Sequence, residues 1–368
     1  MKKRILIYSP SNFRAVDQQS QAELLIRNGH ELYILTWAPP GPLHENFMQL
    51  GAKTFSSEKV KGHGFFFFVN QARFLKKFCK DNKIDIVFSH LQSNAVVSGL
   101  AHYFMRSKVY YFRHNSDYTE LMPSRKHKLL NKLANRLSPA IVAISGKVKE
   151  QLIKEGVPEK KIYRINYCYN FSQYRKNSLN ASAELKEKYK CSLLLLSVAR
   201  LDPLKRHQMA FETVKKLVEN GVDCKLVSIG EGPLRAELEK WVADNKMKDR
   251  IFLEPFAPNT IDYFEACDML IHLSYSEASS HVVKEAAMCK KTVIVCKGVG
   301  DFEDYLQHGV NAFFVDKEYP VNEAVNLLAA DYRDKILLES MGEKLHDMVI
   351  NKFSMDAVVK DYEQILNR

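Results

Sequence analysis

Apolar residues come in short runs separated by stretches of helical spacing, and the two alternate along the chain. Ile5–Tyr8 reads as a first strand. Gln18–Asn28 reads as a helix closed by Gly29, a residue that turns left-handed at little steric cost. Glu31–Thr36 predicts a second strand. Ile84–Ser89, after a helical stretch ending near Asn82, Lys108–Phe112 and Ala140–Ile144 continue the series. The pattern restarts after the polar stretch Ser172–Ser182. Strands are then expected at Leu193–Val198, Lys225–Ile229, Ile251–Leu253, Met269–Leu273, Thr292–Cys296 and Ala312–Val315. Helices are expected at Gln208–Glu219, Leu234–Lys246 and His281–Met288, with a last one at Ser354–Leu366.

This alternation predicts an α/β protein in which a doubly wound parallel sheet is written twice. A length of 368 residues agrees, because it exceeds one ordinary core. The expected domains are two Rossmann-like units, 1–170 and 185–350, with the linker near residues 169–184. The helix at about 352–368 is expected to pack back on the first domain. In open α/β sheets ligands sit at the carboxyl ends of strands, where the strand order reverses. The expected site therefore lies in a cleft that the two domains face.

Composition narrows the classes. With 46% apolar and 26% charged residues, the chain is ordinary globular protein. No run of about 18 apolar residues predicts a membrane-spanning helix. The basic then apolar start, Met1 to Tyr8, is too short for a secretory leader, so a cytoplasmic location is expected. The seven cysteines are scattered and form no CxxC, and most read as small buried apolar residues. Charge is uneven. Residues 1–180 hold 29 Lys and Arg against 12 Asp and Glu, and the remainder holds 25 against 31. The basic half has no recognised nucleic-acid motif, and no nucleic-acid partner is expected. Arg125–Arg136 interleaves cations with leucines, the pattern of a helix on an anionic membrane surface, although the leucines also suit inward packing. Phe65–Phe68 is a second stretch that fits burial or exposure.

Four segments carry candidate chemistry. After the strand Met269–Leu273, Ser274–Met288 brings a carboxylate, Glu277, and then small residues that open a helix carrying Glu285. Free amides at such a helix start attract phosphate. The same residues also fit a capped helix with two surface carboxylates. After Leu193–Val198, Arg200 and Lys205 suit a diphosphate or a solvated basic turn. Gly230-Glu231-Gly232 follows a third strand and permits close backbone approach to a ligand. Arg235 stands where a third glycine would complete a dinucleotide fingerprint, which excludes that reading. In the first half, His114 follows the strand Lys108–Phe112, and His90 is a weaker case of the same kind.

Taken in order, these segments resemble the retaining glycosyltransferases of family 4, of the glycosyl transferases group 1 type, which have the GT-B fold. Asn28-Gly29-His30-Glu31, Ala143–Val148, the E-x7-E pair Glu277 and Glu285, and Asp301–Asn311 carry the resemblance over nearly the whole chain. It implies that Arg200 and Lys205 hold the donor diphosphate and stabilise the departing nucleotide. Glu285 binds ribose hydroxyls and Glu277 contacts the donor sugar. Ser279, Ser280 and His281 offer amides to phosphate or sugar oxygens. Gly230, Glu231 and Gly232 line the nucleotide, Phe256 sits near the base, and His114 touches the sugar from the other domain. It implies a uridine or guanosine diphosphate sugar as donor, a saccharide or lipid-linked acceptor, and a role in cell-envelope polysaccharide synthesis. Front-face attack, in which the leaving phosphate helps deprotonate the acceptor, is the implied route to retention. No DxD-type pair follows a strand, so no metal and no cofactor are expected.

The chain departs from the family pattern at three places. Ser9-Pro10-Ser11-Asn12-Phe13-Arg14 replaces a glycine-rich loop, Glu277-Ala278-Ser279-Ser280 replaces EGFG, and Tyr167–Asn170 lacks the usual NG. A nucleotide-sugar 2-epimerase of the same fold and a non-catalytic nucleotide-sugar-binding protein share the remaining features. Peripheral association with the inner face of the membrane is the further expectation for the basic half.

Overall fold

The computed structural model describes residues 2–13, 15–117, 121, 124–174, 180–257 and 259–368. Arg14 and residues 175–179 of the expected linker lie outside the described residues. The chain divides into two compact units, Met1–Asn170 with Phe353–Arg368, and Phe171–Lys352.

The first unit holds seven parallel strands, β1 (Arg4–Ser9), β2 (Glu31–Thr36), β3 (Lys53–Ser56), β4 (Ile86–His90), β5 (Lys108–Arg113), β6 (Ala140–Ala143) and β7 (Ile162–Arg164). Their order is β3-β2-β1-β4-β5-β6-β7. The second holds six, β8 (Leu193–Val198), β9 (Cys224–Ile229), β10 (Ile251–Glu254), β11 (Met269–His272), β12 (Thr292–Cys296) and β13 (Phe313–Val315), also parallel, in the order β10-β9-β8-β11-β12-β13. The α/β class expected from the pattern is what folds, and strand ends differ from expectation by one or two residues. Strands β3 and β7, absent from that expectation, lie at the two edges of the first sheet. Such strands are short and half-exposed, so they carry little apolar signal.

Central strands are apolar on both faces because helices cover both. The four leucines of β8 are each 6% exposed or less, and full burial stabilises by about 1.5–3 kcal/mol per leucine. The helix Val16–Arg27 ends at Gly29, whose φ of 83° and amide bond to Ile26 O at 2.9 Å satisfy the last turn. The C-terminal helix Met355–Leu366 belongs to the first unit. Tyr362 Oη accepts from Gln21 Nε2 at 3.2 Å, and Tyr110 Oη donates to Ile365 O at 2.8 Å.

The surface of the first unit is now defined. The helix Arg125–Leu137 exposes its cations and Leu129, while Leu130, Leu133 and Leu137 are half-buried. Phe65 and Phe66 are exposed, whereas Phe67 and Phe68 pack edge-on to Trp37 with centroids at 5.2 and 6.1 Å. Six of the seven cysteines are buried and Cys191 is half-buried. No described helix is long and apolar enough to cross a membrane.

Candidate active site

Strand order reverses on either side of β8, so the loops leaving β8 and β11 rise side by side. The β8 loop is organised by Asp202. Its Oδ1 accepts the amides of Leu204 and Lys205 at 3.0 and 3.2 Å and caps the single turn Pro203–Lys205. Its Oδ2 accepts from Arg200 Nε and Nη2 at 2.8 and 2.7 Å. One buried carboxylate thus sets the directions of both predicted cations. Arg206 follows with φ of 50°, a conformation that a non-glycine residue holds only when its surroundings impose it. Its guanidinium donates to Leu273 O, Lys317 O and Cys296 Sγ at 2.8, 2.7 and 3.2 Å, clasping the ends of β11, β12 and β13.

The β11 loop supplies the partner of Lys205. Glu277 Oε1 lies 2.6 Å from Lys205 Nζ and 2.8 Å from Nε2 of the buried His272. Burial alone raises a carboxyl pKa. Here the Lys205 ammonium and the His272 hydrogen bond override it and hold Glu277 well below the ordinary carboxylate range. Gly300, at φ 58°, lies against this loop, and a Cβ there would sit 2.7 Å from Glu277 Cβ. Tyr275 N donates to Leu204 O at 2.7 Å, which locks the β8 and β11 loops together.

Glu285 lies one helical face further on. Burial raises its pKa, while Thr260 Oγ1 donates to Oε2 at 2.8 Å and opposes the rise. Of the amides expected to serve a ligand, that of Ser280 is already engaged within the protein, as is the Ser279 hydroxyl. Ser279 Oγ donates to Asp301 Oδ2 at 2.6 Å, and the Ser280 amide donates to Asp301 Oδ1 at 3.3 Å. Lys284 Nζ, fully buried, pairs with the same Asp301 and reaches Ser279 Oγ at 3.1 Å. A buried aspartate requires such donors, and it draws these serine groups into the protein. His281 starts the helix His281–Met288 and is half-buried.

The glycines of the β9 loop also have a protein reason. A Cβ on Gly230 would lie 2.0 Å from Ala199 O, and one on Gly232 would lie 2.4 Å from Leu201 O. They let the β9 loop pack on the backbone of the β8 loop, and this contact excludes a side chain whatever ligand comes near. Glu231 is exposed and pairs with Arg235 at 3.2 Å. Phe256 is 69% exposed beyond β10, with no ring contact among those recorded for the described residues.

In the first unit, His114 sits beyond β5 beside the end of β4. Its Nε2 lies 2.7 Å from Nδ1 of the buried His90, and its Nδ1 meets Tyr167 Oη, with Asp17 Oδ2 at 3.7 Å. Burial, with His114 adjacent, keeps His90 neutral.

The structure brings Lys205 to Glu277, seats Arg200 on the same capped turn, and places Glu285 in the same unit on the helix that the β11 loop enters. It leaves Glu231 and Phe256 at the exposed periphery and His114 in the other unit. Sequence reading passed over Asp202, Arg206, His272, Lys284 and Asp301. Asp202-Pro203 is a helix-start signal and marked that residue, and Lys284 carries only a faint sign; Arg206, His272 and Asp301 reveal themselves only through contacts made in the folded chain. Among the described residues, no three His, Cys, Asp or Glu gather as a metal-binding group.

Comparison with known proteins adds to this geometry. Residues 181–348 match the family described as Glycosyl transferases group 1, and residues 19–170 match Glycosyltransferase Family 4. N-acetyl-alpha-D-glucosaminyl L-malate synthase of Bacillus anthracis is 24% identical over 354 residues, covering 93% of this chain and 90% of that protein. The Campylobacter jejuni N-acetylgalactosamine-N,N'-diacetylbacillosaminyl-diphospho-undecaprenol 4-alpha-N-acetylgalactosaminyltransferase is 25% identical over 225 residues, covering 60% of this chain and 59% of that one. The crystal structure of Anabaena HepE in complex with UDP shares the fold with a TM-score of 0.81, 17% identity and full coverage of both chains.

Proposed function

Since the chain belongs to glycosyltransferase family 4, the glycosyl transferases group 1 enzymes of GT-B fold, we propose that it transfers a sugar with retention from a nucleoside diphosphate sugar held by its second unit. The observation that carries this reading is the Lys205–Glu277–His272 group at the reversal point of the second sheet. Lys205 and Arg200 meet the donor pyrophosphate and stabilise the negative charge that grows on the leaving nucleotide, commonly the largest single catalytic contribution. Glu277, kept ionised, accepts hydroxyls of the donor sugar. Glu285 accepts from the ribose. Gly230, Glu231, Gly232 and Phe256 flank the nucleotide, and His114, held by His90 and Tyr167, is the first-unit residue whose replacement tests a role in transfer.

UDP, present in the Anabaena structure, is the first nucleotide to test, with GDP as the alternative. The name of the Campylobacter relative, with its diphospho-undecaprenol-linked sugar, supports a saccharide or lipid-linked acceptor and a role in envelope polysaccharide synthesis, whereas that of the Bacillus relative names malate, a small hydroxy acid. The exposed cations of Arg125–Leu137 and the exposed Phe65 and Phe66 suit an anionic membrane surface. The test is thermal unfolding with UDP, GDP and their sugars. A nucleotide at 100 times its Kd stabilises by about 2.7 kcal/mol, and Arg200→Ala and Lys205→Ala should abolish that response. An undiminished response in both variants overturns the assignment.

A further inference from the structure

The first unit contains a cavity of about 650 Å³ beside the helix Arg125–Leu137, and His114 is not in its lining. Its wall on one side is Lys128, Lys132 and Arg136. On the other is the turn Gly156-Val157-Pro158 with Lys161. The volume is that of a small-molecule site.

The charge here is not balanced from within. Lys128, Lys132 and Arg136 stand four residues apart on one helix face, an arrangement in which like charges repel and destabilise the helix. None of the four cations forms an ion pair among the described residues; Lys161 Nζ only donates to Ser138 O at 3.3 Å. The one carboxylate in the wall, Glu155, is already saturated. It accepts from Arg113 Nη1 and Nη2 at 3.0 and 2.9 Å, from Asn131 and Asn135 at 2.9 and 2.5 Å, and from Gln151 at 3.1 Å. Burial raises the Glu155 pKa, yet Arg113 brings it below its ordinary value, so it stays ionised and engaged with that buried guanidinium. Those bonds use the roughly four acceptor positions of a carboxylate and leave nothing for the lysines.

We propose that this cavity is a second anion site, separate from the donor-binding loops, that takes a phosphate-bearing group of two or more negative charges. Lys128, Lys132, Arg136 and Lys161 grip its oxygens through charge-assisted bonds, and the Gly156–Pro158 turn walls it in. The phosphate arrives either free in solution or as a lipid headgroup, and both present the same oxygens.

The probe is pyrophosphate, titrated calorimetrically into full-length Arg200→Ala protein so that the donor loops do not report. One site per chain is expected. Lys132→Glu/Arg136→Glu should weaken it at least about tenfold. Arg125→Glu/Lys126→Glu, an equal charge reversal on the same helix outside the cavity, should leave it nearly unchanged. Flotation with phosphatidic-acid vesicles forms the second arm. Binding of vesicles without binding of pyrophosphate, with the same ranking of the two variants, assigns the headgroup as the source. Equal weakening by both variants, or no binding of either probe, overturns the proposal.

Discussion

Of the lysine–carboxylate pairs in the second unit, Lys205–Glu277 and Lys284–Asp301 do opposite work. Lys205 and Glu277 keep 23% and 10% of their side chains exposed at the rim of the β8 and β11 loops. Lys284 and Asp301 are both 0% exposed. Desolvation is severe for the second pair, and the protein surrounds it with Ser279, the Ser280 amide and the face of Tyr305, 4.7 Å from Lys284 Nζ. The first pair keeps contact with solvent, and its lysine has fewer fixed partners. A buried pair of this kind pins two loops. A rim pair has the exposure that exchange of its internal partner for the proposed donor requires.

The largest separation should come from Lys284→Met. Leaving Asp301 charged and unpaired costs about 3–5 kcal/mol. At roughly 2–4 °C per kcal/mol for a unit of this size, the melting temperature should fall by about 6–20 °C. Lys284→Met/Asp301→Asn should recover part of that fall in the same calorimetric scan. A drop of only a degree or two in the single variant would erase the contrast between the pairs.

Lys205→Ala should invert the pattern. We expect kcat/KM for the donor to fall by about 10²–10³, with a much smaller change in melting temperature. Acid adds a finer test. Glu277 is held below its ordinary pKa, so the folded state binds fewer protons there than the unfolded state. Its stabilisation is therefore complete above about pH 4.5 and is lost as the pH falls toward the native value. Removing the Lys205 ammonium raises that native value. The variant should lose less stability than wild type between about pH 6 and about pH 3, measured by denaturant unfolding. Smaller again is Glu285→Gln, expected to raise the donor KM about tenfold, the effect of losing a charge-assisted bond. Phe256→Ala should change stability by less than about 0.5 kcal/mol, because the ring is mostly exposed.

The legibility of the two pairs in the sequence follows from the same physics. Glu277 and Lys205 each follow an apolar strand, a local pattern that marks a carboxyl-end loop before any contact is known. Asp301 lies 17 positions after Lys284, on a loop beyond another strand, and no local pattern joins them. Lys284 did carry a faint sign, standing as a lone cation in a short helix otherwise rich in Val and Ala. The strands β8 and β12 and the helix His281–Met288 were readable to the residue, since continuous apolar burial dictates them. The edge strand β3 alternates exposed and half-buried positions over four residues, too weak a pattern to recognise. The β9 glycines were legible as glycines but not in their purpose, which depends on the neighbouring loop's backbone.

Asp202 answers Arg200, Glu277 answers Lys205, and Arg206 is turned toward carbonyls and a thiol. At rest the carboxylates offset Arg200 and Lys205, and most of the charge on this rim is answered from within. An anion far away feels little pull from it, and only a molecule shaped to reach both cations at once gains by displacing their carboxylates. Inorganic phosphate and nucleotide monophosphates should be disfavoured by that arrangement, and ionic strength should affect capture of the proposed donor only mildly.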